Sequence, residues 1–235
     1  MPSQISPRPK AVRPAKQRPV RDERYNRFKL AAGQVFAERG YDGTTIREIA
    51  RRADCNLGML SHYWKTKQAL FSEIFRDRFT CIFDYQMTGF TDIAQRASAG
   101  ARPEVRAVLQ CLIESIFLSI QGTDEHDTLS RLVFGRALLD PSPEVDEAMA
   151  ELFTPASRLL FDLLRQSSAA INDTEFYWRT LCVIGSFSFA DSFATRLTRF
   201  IQPSTAETGI NWRDVAVYVT NFLVAGMQAP PTKAG

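Results

Sequence analysis

Apolar residues recur along most of the chain at the three- to four-residue spacing of amphipathic helices. In the first such stretch, Phe28, Ala32 and Val35 fall on one face, and Gly40 marks the end of the helix. No stretch alternates apolar and polar residues in the manner of a half-buried strand. The pattern therefore predicts an all-α fold.

Two short helices are expected at 45–53 and 56–63. Thr45 and Glu48 have the spacing of a capping box, in which each side chain binds a backbone N–H of the other residue. Asn56 suits the N-cap of the second helix. Because only two residues separate this pair and another helix precedes it, the pattern indicates a helix-turn-helix.

The rest of the chain is predicted to consist of longer helices. Proline is disfavoured inside a helix, so Pro141, Pro143 and Pro155 are taken to separate neighbouring helices. The expected helices span about 67–97, 103–121, 127–139, 143–152, 155–169, 175–201 and 212–227.

Positive charge is concentrated in the first third of the chain, although the net charge is only +3. Residues 1–21 hold six basic residues, no acidic residue and five of the twelve prolines, which predicts a disordered basic arm. Residues 22–67 carry a charge of +3, and residues 68–235 carry −6. This asymmetry fits an N-terminal part that faces phosphate, although a solvated tail has the same composition.

Composition narrows the class of protein. Hydrophobic residues make up 45% of the chain, which is typical of a globular protein. The four cysteines form no close pair, which argues against a disulfide framework and against a zinc site. The absence of a long apolar run and of a signal-peptide pattern predicts a cytoplasmic protein without a membrane span. We expect no metal and no cofactor.

The segment TTIREIARRADCNLGMLSHYWKTKQALFSEIF, preceded by FAERGYDGTT, resembles the DNA-binding domain of the TetR family of bacterial transcriptional regulators. The resemblance covers about residues 24–75. It implies a helix-turn-helix DNA-binding domain at 22–67 and a larger helical domain for ligand binding and dimerisation at 68–235. It also implies a homodimeric repressor of a pseudo-palindromic operator, released from double-stranded DNA by a small-molecule effector. A transcriptional activator or a dual regulator of the same family is the alternative.

The resemblance also implies which residues contact DNA. They are Thr45, Arg47, Asn56, Leu57, Gly58, Met59, Ser61, His62, Tyr63 and Lys67. Leu57 replaces a frequent lysine or glutamine, and Ser61 replaces a frequent tyrosine, so this surface is less polar than usual for the family. Leu57 and Met59 can pack on thymine methyl groups, while Arg47 and His62 supply polar contacts. For His62, packing in the helix joint is the alternative.

By family position, the helices after residue 67 enclose an effector pocket. Its candidate lining residues are Phe83, Met87, Phe90, Phe117, Phe134, Leu138 and Phe161. Their character predicts an apolar or aromatic effector. Each of them can equally be an ordinary core residue, because periodicity alone does not separate a pocket from a core.

The last two helices, 175–201 and 211–227, are predicted to pair with their copies in a homodimer. Apolar residues cover more than one face of 175–201, so this helix must be buried on several sides. Burial within one subunit is the alternative.

Two other classes of function are weighed. An enzyme would need a nucleophile such as Cys111 and a base such as His126, but nothing in the sequence orients this pair. A protein held at a membrane surface by its basic arm would leave the helix-turn-helix unexplained.

Overall fold

Every element in the described part of the chain is an α-helix, which confirms the predicted fold class. The structure, a computed structural model, describes residues 23–120, 125–168, 171–188 and 211–232. In chain order, its helices are α1 (Glu23–Arg39), α2 (Ile46–Ala53), α3 (Gly58–Tyr63), α4 (Lys67–Ser98), α5 (Val105–Ile120), α6 (Glu125–Ala137), α7 (Pro143–Ser167), α8 (Asp173–Ser188) and α9 (Trp212–Gln228). The predicted basic arm at 1–21 and the second half of the helix predicted at 175–201 lie outside the described residues.

The predicted break at Pro155 is wrong, because α7 continues through this residue. Pro155 cannot donate a hydrogen bond to the carbonyl of Glu151, four residues earlier. It lies on the exposed side of the helix, where water can reach the freed carbonyl. The opposite side of α7 is buried at Ala148 before the proline and at Ala156 after it, so packing on both sides of the proline keeps the helix continuous.

A first apolar core joins the three N-terminal helices to the rest of the molecule. Phe28 of α1, Ile49 of α2 and Leu70 of α4 are fully buried in it. Residues of α6 and α7, such as Val133 and Val145, complete the same core. The helix-turn-helix therefore packs directly on helices that follow residue 67.

A second apolar core lies around α5. Ile113 of α5 and Phe90 of α4 are fully buried there, together with Leu163 of α7 and Phe176 of α8. Met227 anchors α9 to the same core. The two final helices are thus each buried on one side.

The loop between α1 and α2 rests on the end of α6. The backbone N–H of Tyr41 donates a hydrogen bond to Oδ2 of Asp140, at 2.8 Å. Gly40 has a left-handed φ of 72°, and a Cβ at this position would lie 2.9 Å from Nε of Arg136 and from the same Asp140 oxygen. Both the backbone conformation and the available space therefore require glycine here.

Candidate nucleic-acid interface

Helix α2 begins at a threonine cap, as the sequence predicts. Oγ1 of Thr45 accepts a hydrogen bond from the backbone N–H of Glu48, at 3.2 Å. The Glu48 carboxylate accepts two bonds from Arg51 instead, at 2.8 and 3.2 Å. These bonds hold the pKa of Glu48 below its ordinary value. The threonine half of the capping box is therefore present, while the glutamate stabilises the helix through an arginine one turn later.

The turn between α2 and α3 contains a left-handed aspartate. Asp54 has φ 50° and ψ 51°, and its N–H bonds back to the carbonyls of Ala50 and Arg51. Ala50 is buried beneath the turn, beside the fully buried Ile49. A small residue at this crossing lets the two helices approach, and the bonded turn fixes their angle.

Helix α3 is capped by Asn56, which lies one residue earlier than a standard cap. Oδ1 of Asn56 accepts from the N–H of Gly58 at 2.8 Å, and its carbonyl accepts from the N–H of Met59 at 3.0 Å. Leu57 lies between these bonds and occupies the N-cap position without a side-chain cap of its own. Its backbone is therefore held on both sides.

An aromatic cluster anchors the other end of α3. The ring of Trp64 stacks on Tyr25 and Phe28 of α1, with centroids 4.8 and 5.5 Å away. Its indole Nε1 donates to Glu73 of α4, at 2.9 Å. Lys65 follows with a left-handed φ of 67°, a helix ending that the sequence does not reveal because no glycine marks it. These contacts make α2 and α3 a rigid pair.

Most of the predicted DNA-contact residues are exposed to solvent. The exposed members are Thr45, Arg47, Asn56, Leu57, Gly58, Ser61 and His62. Three members are half-buried: Met59, Tyr63 and Lys67. Met59 packs against the first core, and Tyr63 meets the ring of Tyr25 edge-on, at 5.2 Å. We call the exposed face of α3 with Arg47 the outer surface.

The three arginines of α2 differ in whether they are paired with a glutamate of the protein. Arg51 binds Glu48, and Arg52 binds Glu38 through both terminal nitrogens, at 2.6 and 2.8 Å. Arg47 is exposed and forms no hydrogen bond or ion pair within the described part of the chain. Its guanidinium is thus the one on α2 that remains available for an external anion or base edge.

Lys67 is engaged inside the protein. Its Nζ donates to the carbonyls of Tyr41 and Thr44, at 2.9 and 3.4 Å, and lies 4.1 Å from the centroid of the Tyr41 ring. The side chain therefore fastens the loop that leads into α2. Its predicted contact with DNA stays a prediction, for which the N-terminal backbone of α4 is also available.

The predicted effector residues lie at more than one place, although Phe83, Met87 and Phe134 all pack in or against the first core. Phe83 is buried in the first core against Phe153, with centroids 4.7 Å apart, and Phe90 is fully buried in the second core. Met87, Phe134 and Leu138 are half-buried. The side chain of Phe117 lies outside the described residues.

Phe161 lines a surface groove on α7. The groove has a volume of about 470 Å³ and is lined by Phe153, Thr154, Ser157, Arg158, Phe161 and Asp162. Five of these residues were not predicted, although Phe153, Ser157 and Phe161 recur every four residues on one helical face, as do Thr154, Arg158 and Asp162. The supposed break at Pro155 left Phe153 between the helices predicted at 143–152 and 155–169, whereas Phe161 fell within the second.

Large apolar side chains remain exposed on α8 and α9. They are Tyr177, Trp178, Leu181, Ile184, Val217, Tyr218 and Phe222, with exposed fractions between 40% and 75%. Phe176 and Leu223 on the same helices are buried inside the subunit. We call the seven exposed residues the α8–α9 face.

The residues and helices considered for an enzyme or for a membrane protein give little support to those functions. Burial raises the pKa of the Cys111 thiol to about 11, which disfavours the thiolate that a nucleophile requires. The side chain of His126 lies outside the described residues. Within the described ranges, no helix has both the length and the apolarity of a membrane span.

Two sequence models match the chain. One, described as "Bacterial regulatory proteins, tetR family", matches residues 30–74. The other, "Tetracyclin repressor-like, C-terminal domain", matches residues 110–226.

Individual relatives are distant. The chain is 24% identical over 110 residues to the probable HTH-type transcriptional regulator YttP of Bacillus subtilis, a match that covers 47% of this chain and 48% of that protein. It is 26% identical over 149 residues to the HTH-type transcriptional activator FasR of Mycolicibacterium smegmatis, covering 63% and 62%. The matches thus span about half to three fifths of these relatives.

The ketosteroid transcriptional regulator KstR2 of Mycobacterium tuberculosis has a similar solved structure. The TM-score is 0.56 at 18% identity, and the match covers 89% of this chain and 97% of that chain. At this level of identity, the likeness concerns the fold.

Proposed function

Because this chain belongs to the TetR family of bacterial transcriptional regulators and is not an enzyme, we propose that it is a ligand-responsive repressor. It acts in the cytoplasm, binds a pseudo-palindromic DNA operator as a homodimer, and is released by a small apolar or aromatic effector. The observation that carries this proposal is the open outer surface on a rigid helix pair.

The outer surface has the shape and chemistry for duplex DNA. A major groove admits one helix, and the exposed face of α3 is not covered by any part of the chain that the structure describes. Arg47 on the preceding helix α2 supplies an exposed cation. The core residues beneath α2 and α3 hold the pair in one orientation, so little conformational entropy is lost on binding.

The α8–α9 face supports a homodimer. Seven large apolar residues are exposed on two helices that contact each other, and monomeric proteins rarely leave so much apolar surface in water. A two-fold pairing of this face would present two copies of α3, and two copies read a two-fold symmetric operator. Burial within one subunit, the alternative from the sequence, applies to Phe176 and Leu223 but not to these seven side chains.

An apolar or aromatic effector fits the chemistry between α4, α6 and α7. Phe134 of α6 lies 5.4 Å from Phe79 and 5.9 Å from Phe153 between ring centroids. The groove at Phe161 opens beside this aromatic cluster. An effector that inserts among these rings would bury its apolar surface. It would also shift α6, whose C-terminal end is joined to the loop at Tyr41 through Asp140.

The proposal is tested with promoter DNA from beside the gene, in a mobility-shift assay and by footprinting. We expect one protected pseudo-palindromic site and a steep loss of affinity with salt, because phosphate contacts release counterions. Removal of residues 1–21 should lower this salt slope if the arm contacts phosphate. Failure to protect any site in the intergenic DNA would contradict the proposal.

An activator or dual regulator remains the second candidate, since the relative FasR is named as an activator. Transcription from the footprinted promoter with purified polymerase separates the two. Repression requires that the protein lower the transcript level and that an apolar effector restore it.

A further inference from the structure

From the structure we infer that Leu57 reads the 5-methyl group of a thymine in the major groove and thereby helps to set operator specificity. The inference rests on the proposed function, since it names the base feature that the outer surface recognises. It depends on where Leu57 lies, on how it is held, and on what surrounds it.

Leu57 is an exposed apolar residue at the tip of the recognition helix. Its exposed fraction is 48%, whereas Met59 packs against the first core and Leu60 is half-buried. Of the two apolar residues that the sequence offers for methyl contacts, Leu57 is thus the more exposed. An exposed leucine is by itself ordinary on a protein surface, so the inference also depends on the residues around Leu57.

The exposed face of α3 offers no arginine or lysine for the two-atom contact with guanine. Its exposed polar residues are Ser61 and His62, and no arginine or lysine lies within the helix. Asn56 uses its Oδ1 to cap Gly58, so it cannot form the two-atom pairing with adenine without losing the cap. Ser61 and His62 can hydrogen-bond base edges, whereas the thymine methyl is the group of the major groove that the exposed Leu57 side chain can recognise.

The position of Leu57 is fixed before DNA binds. Bonds at Asn56 hold the backbone on either side of it, at 2.8 and 3.0 Å. Beside it, Gly58 leaves open space, because a Cβ there would meet only Oδ1 of Asn56, at 3.5 Å. A base edge can therefore approach the leucine side chain without displacing the protein backbone.

Deoxyuridine tests the inference directly, because it differs from thymidine only by the missing methyl group. Each thymine of the footprinted operator is replaced by deoxyuridine, together with its symmetry mate in the other half-site. At one pair of positions, we expect the affinity of the wild-type protein for the operator to fall by about fourfold for each methyl removed. The reason is that Leu57 then no longer buries one methyl-sized group.

Two variants complete the test. Leu57→Ala should bind the unmodified operator more weakly and lose sensitivity to deoxyuridine at that pair of positions. Ser61→Ala, a change of the neighbouring exposed residue, should keep the wild-type sensitivity. Both positions are exposed, and thermal melting verifies that both variants fold.

The outcomes separate the inference from the proposed function. If the operator is bound but no substitution weakens wild-type binding by more than about twofold, the inference is wrong and the proposed function stands. The same holds if Leu57→Ala remains as sensitive as wild type. If the unmodified DNA is not bound specifically, both are wrong.

Discussion

The ammonium group of Lys67 lies 2.9 Å from the carbonyl oxygen of Tyr41 and covers the ring of the same residue, at 4.1 Å from its centroid. This contact joins the start of α4 to the loop that precedes the cap of α2. Lys67 thus fastens the loop from which α2 begins. A residue expected to neutralise phosphate has a second role in positioning the helix-turn-helix.

Replacement of Lys67 by methionine separates these two roles. Loss of the charged hydrogen bond and of the cation–π contact should lower the free energy of unfolding by about 1 to 3 kcal/mol, because the loop carbonyls lose their donor. Chemical denaturation measures this change. DNA affinity should fall as well, since the cap of α2 is no longer fixed.

The salt dependence of DNA binding decides between the roles of Lys67. If the side chain acts only through the loop, the slope of affinity against salt concentration stays at the wild-type value. A slope reduced by about 0.9 for each lost contact would show that its charge reaches phosphate. Lys67→Arg keeps the charge and is the matched control.

Arg47→Ala should weaken operator binding by about 1 to 3 kcal/mol, which corresponds to roughly 5- to 150-fold. The reason is that Arg47 is exposed and forms no ion pair within the described residues, so its guanidinium is available to DNA. Arg51→Ala on the same helix is the matched control, because Arg51 is bound to Glu48. Equal losses in the two variants would show that α2 contributes only general positive charge.

Gly58→Ala should separate folding from binding. Alanine is the better helix former, and the space at Gly58 admits a Cβ, so the free energy of unfolding should stay the same or rise by up to about 1 kcal/mol. Operator affinity should fall, because the added methyl group occupies the space through which a base edge approaches. Calorimetry and a mobility-shift titration give the two values. Gly43→Ala gives the opposite result on stability, since a Cβ there would lie 2.5 Å from the carbonyl oxygen of Arg39.

Phe222→Glu should convert a dimer to a monomer in sedimentation experiments. Phe222 is 75% exposed on the α8–α9 face, and a buried carboxylate at a two-fold interface faces its own copy. Leu132→Glu places the same charge at another exposed apolar position, 57% exposed on α6, and should leave the oligomeric state unchanged. A dimer that persists in the Phe222 variant at low protein concentration would contradict the proposed interface.

The local chemistry of the helix-turn-helix was predictable from the sequence because neighbouring residues determine it. The cap at Thr45 and the cap at Asn56 follow from residue type and spacing. Contacts between distant segments were not predictable in this way. Spacing does not reveal that Lys67 turns toward Tyr41 or that Trp64 bonds to Glu73.

The effector region illustrates a second limit. Periodicity places Phe83, Phe90 and Phe161 on the inner sides of helices, yet the structure puts them in the first core, the second core and a surface groove. Which apolar residue lines a groove depends on how helices pack, and that is a tertiary property. The proline at 155 adds to the difficulty, since packing on both sides overrides its local preference to end the helix.

Asp140→Asn should weaken the contact between the loop at Tyr41 and the end of α6. Asp140 accepts bonds from the N–H of Tyr41 at 2.8 Å and from the hydroxyl and N–H of Ser142 at 2.5 and 3.1 Å. Burial raises the pKa of this carboxyl, but the bonds from Ser142 and Tyr41 outweigh it, so the pKa lies below the ordinary value of 3.8. An asparagine presents one oxygen and an NH₂ group, so one donor loses its acceptor, at a cost of about 1 to 3 kcal/mol.

The pH dependence of stability distinguishes this role of Asp140. A carboxyl with a lowered folded-state pKa stabilises the fold above its unfolded-state pKa and loses this contribution as the pH falls through the folded-state value. The stability advantage of wild type over Asp140→Asn should therefore be full at pH 7, persist to about pH 5 and shrink below pH 3.8. Urea denaturation at pH 7, 5 and 3 measures it, with Asp84→Asn as an exposed control on α4. If the difference in stability between wild type and Asp140→Asn is the same at all three pH values, the Asp140 charge contributes nothing to the contact. Packing alone would then hold α6 against the helix-turn-helix.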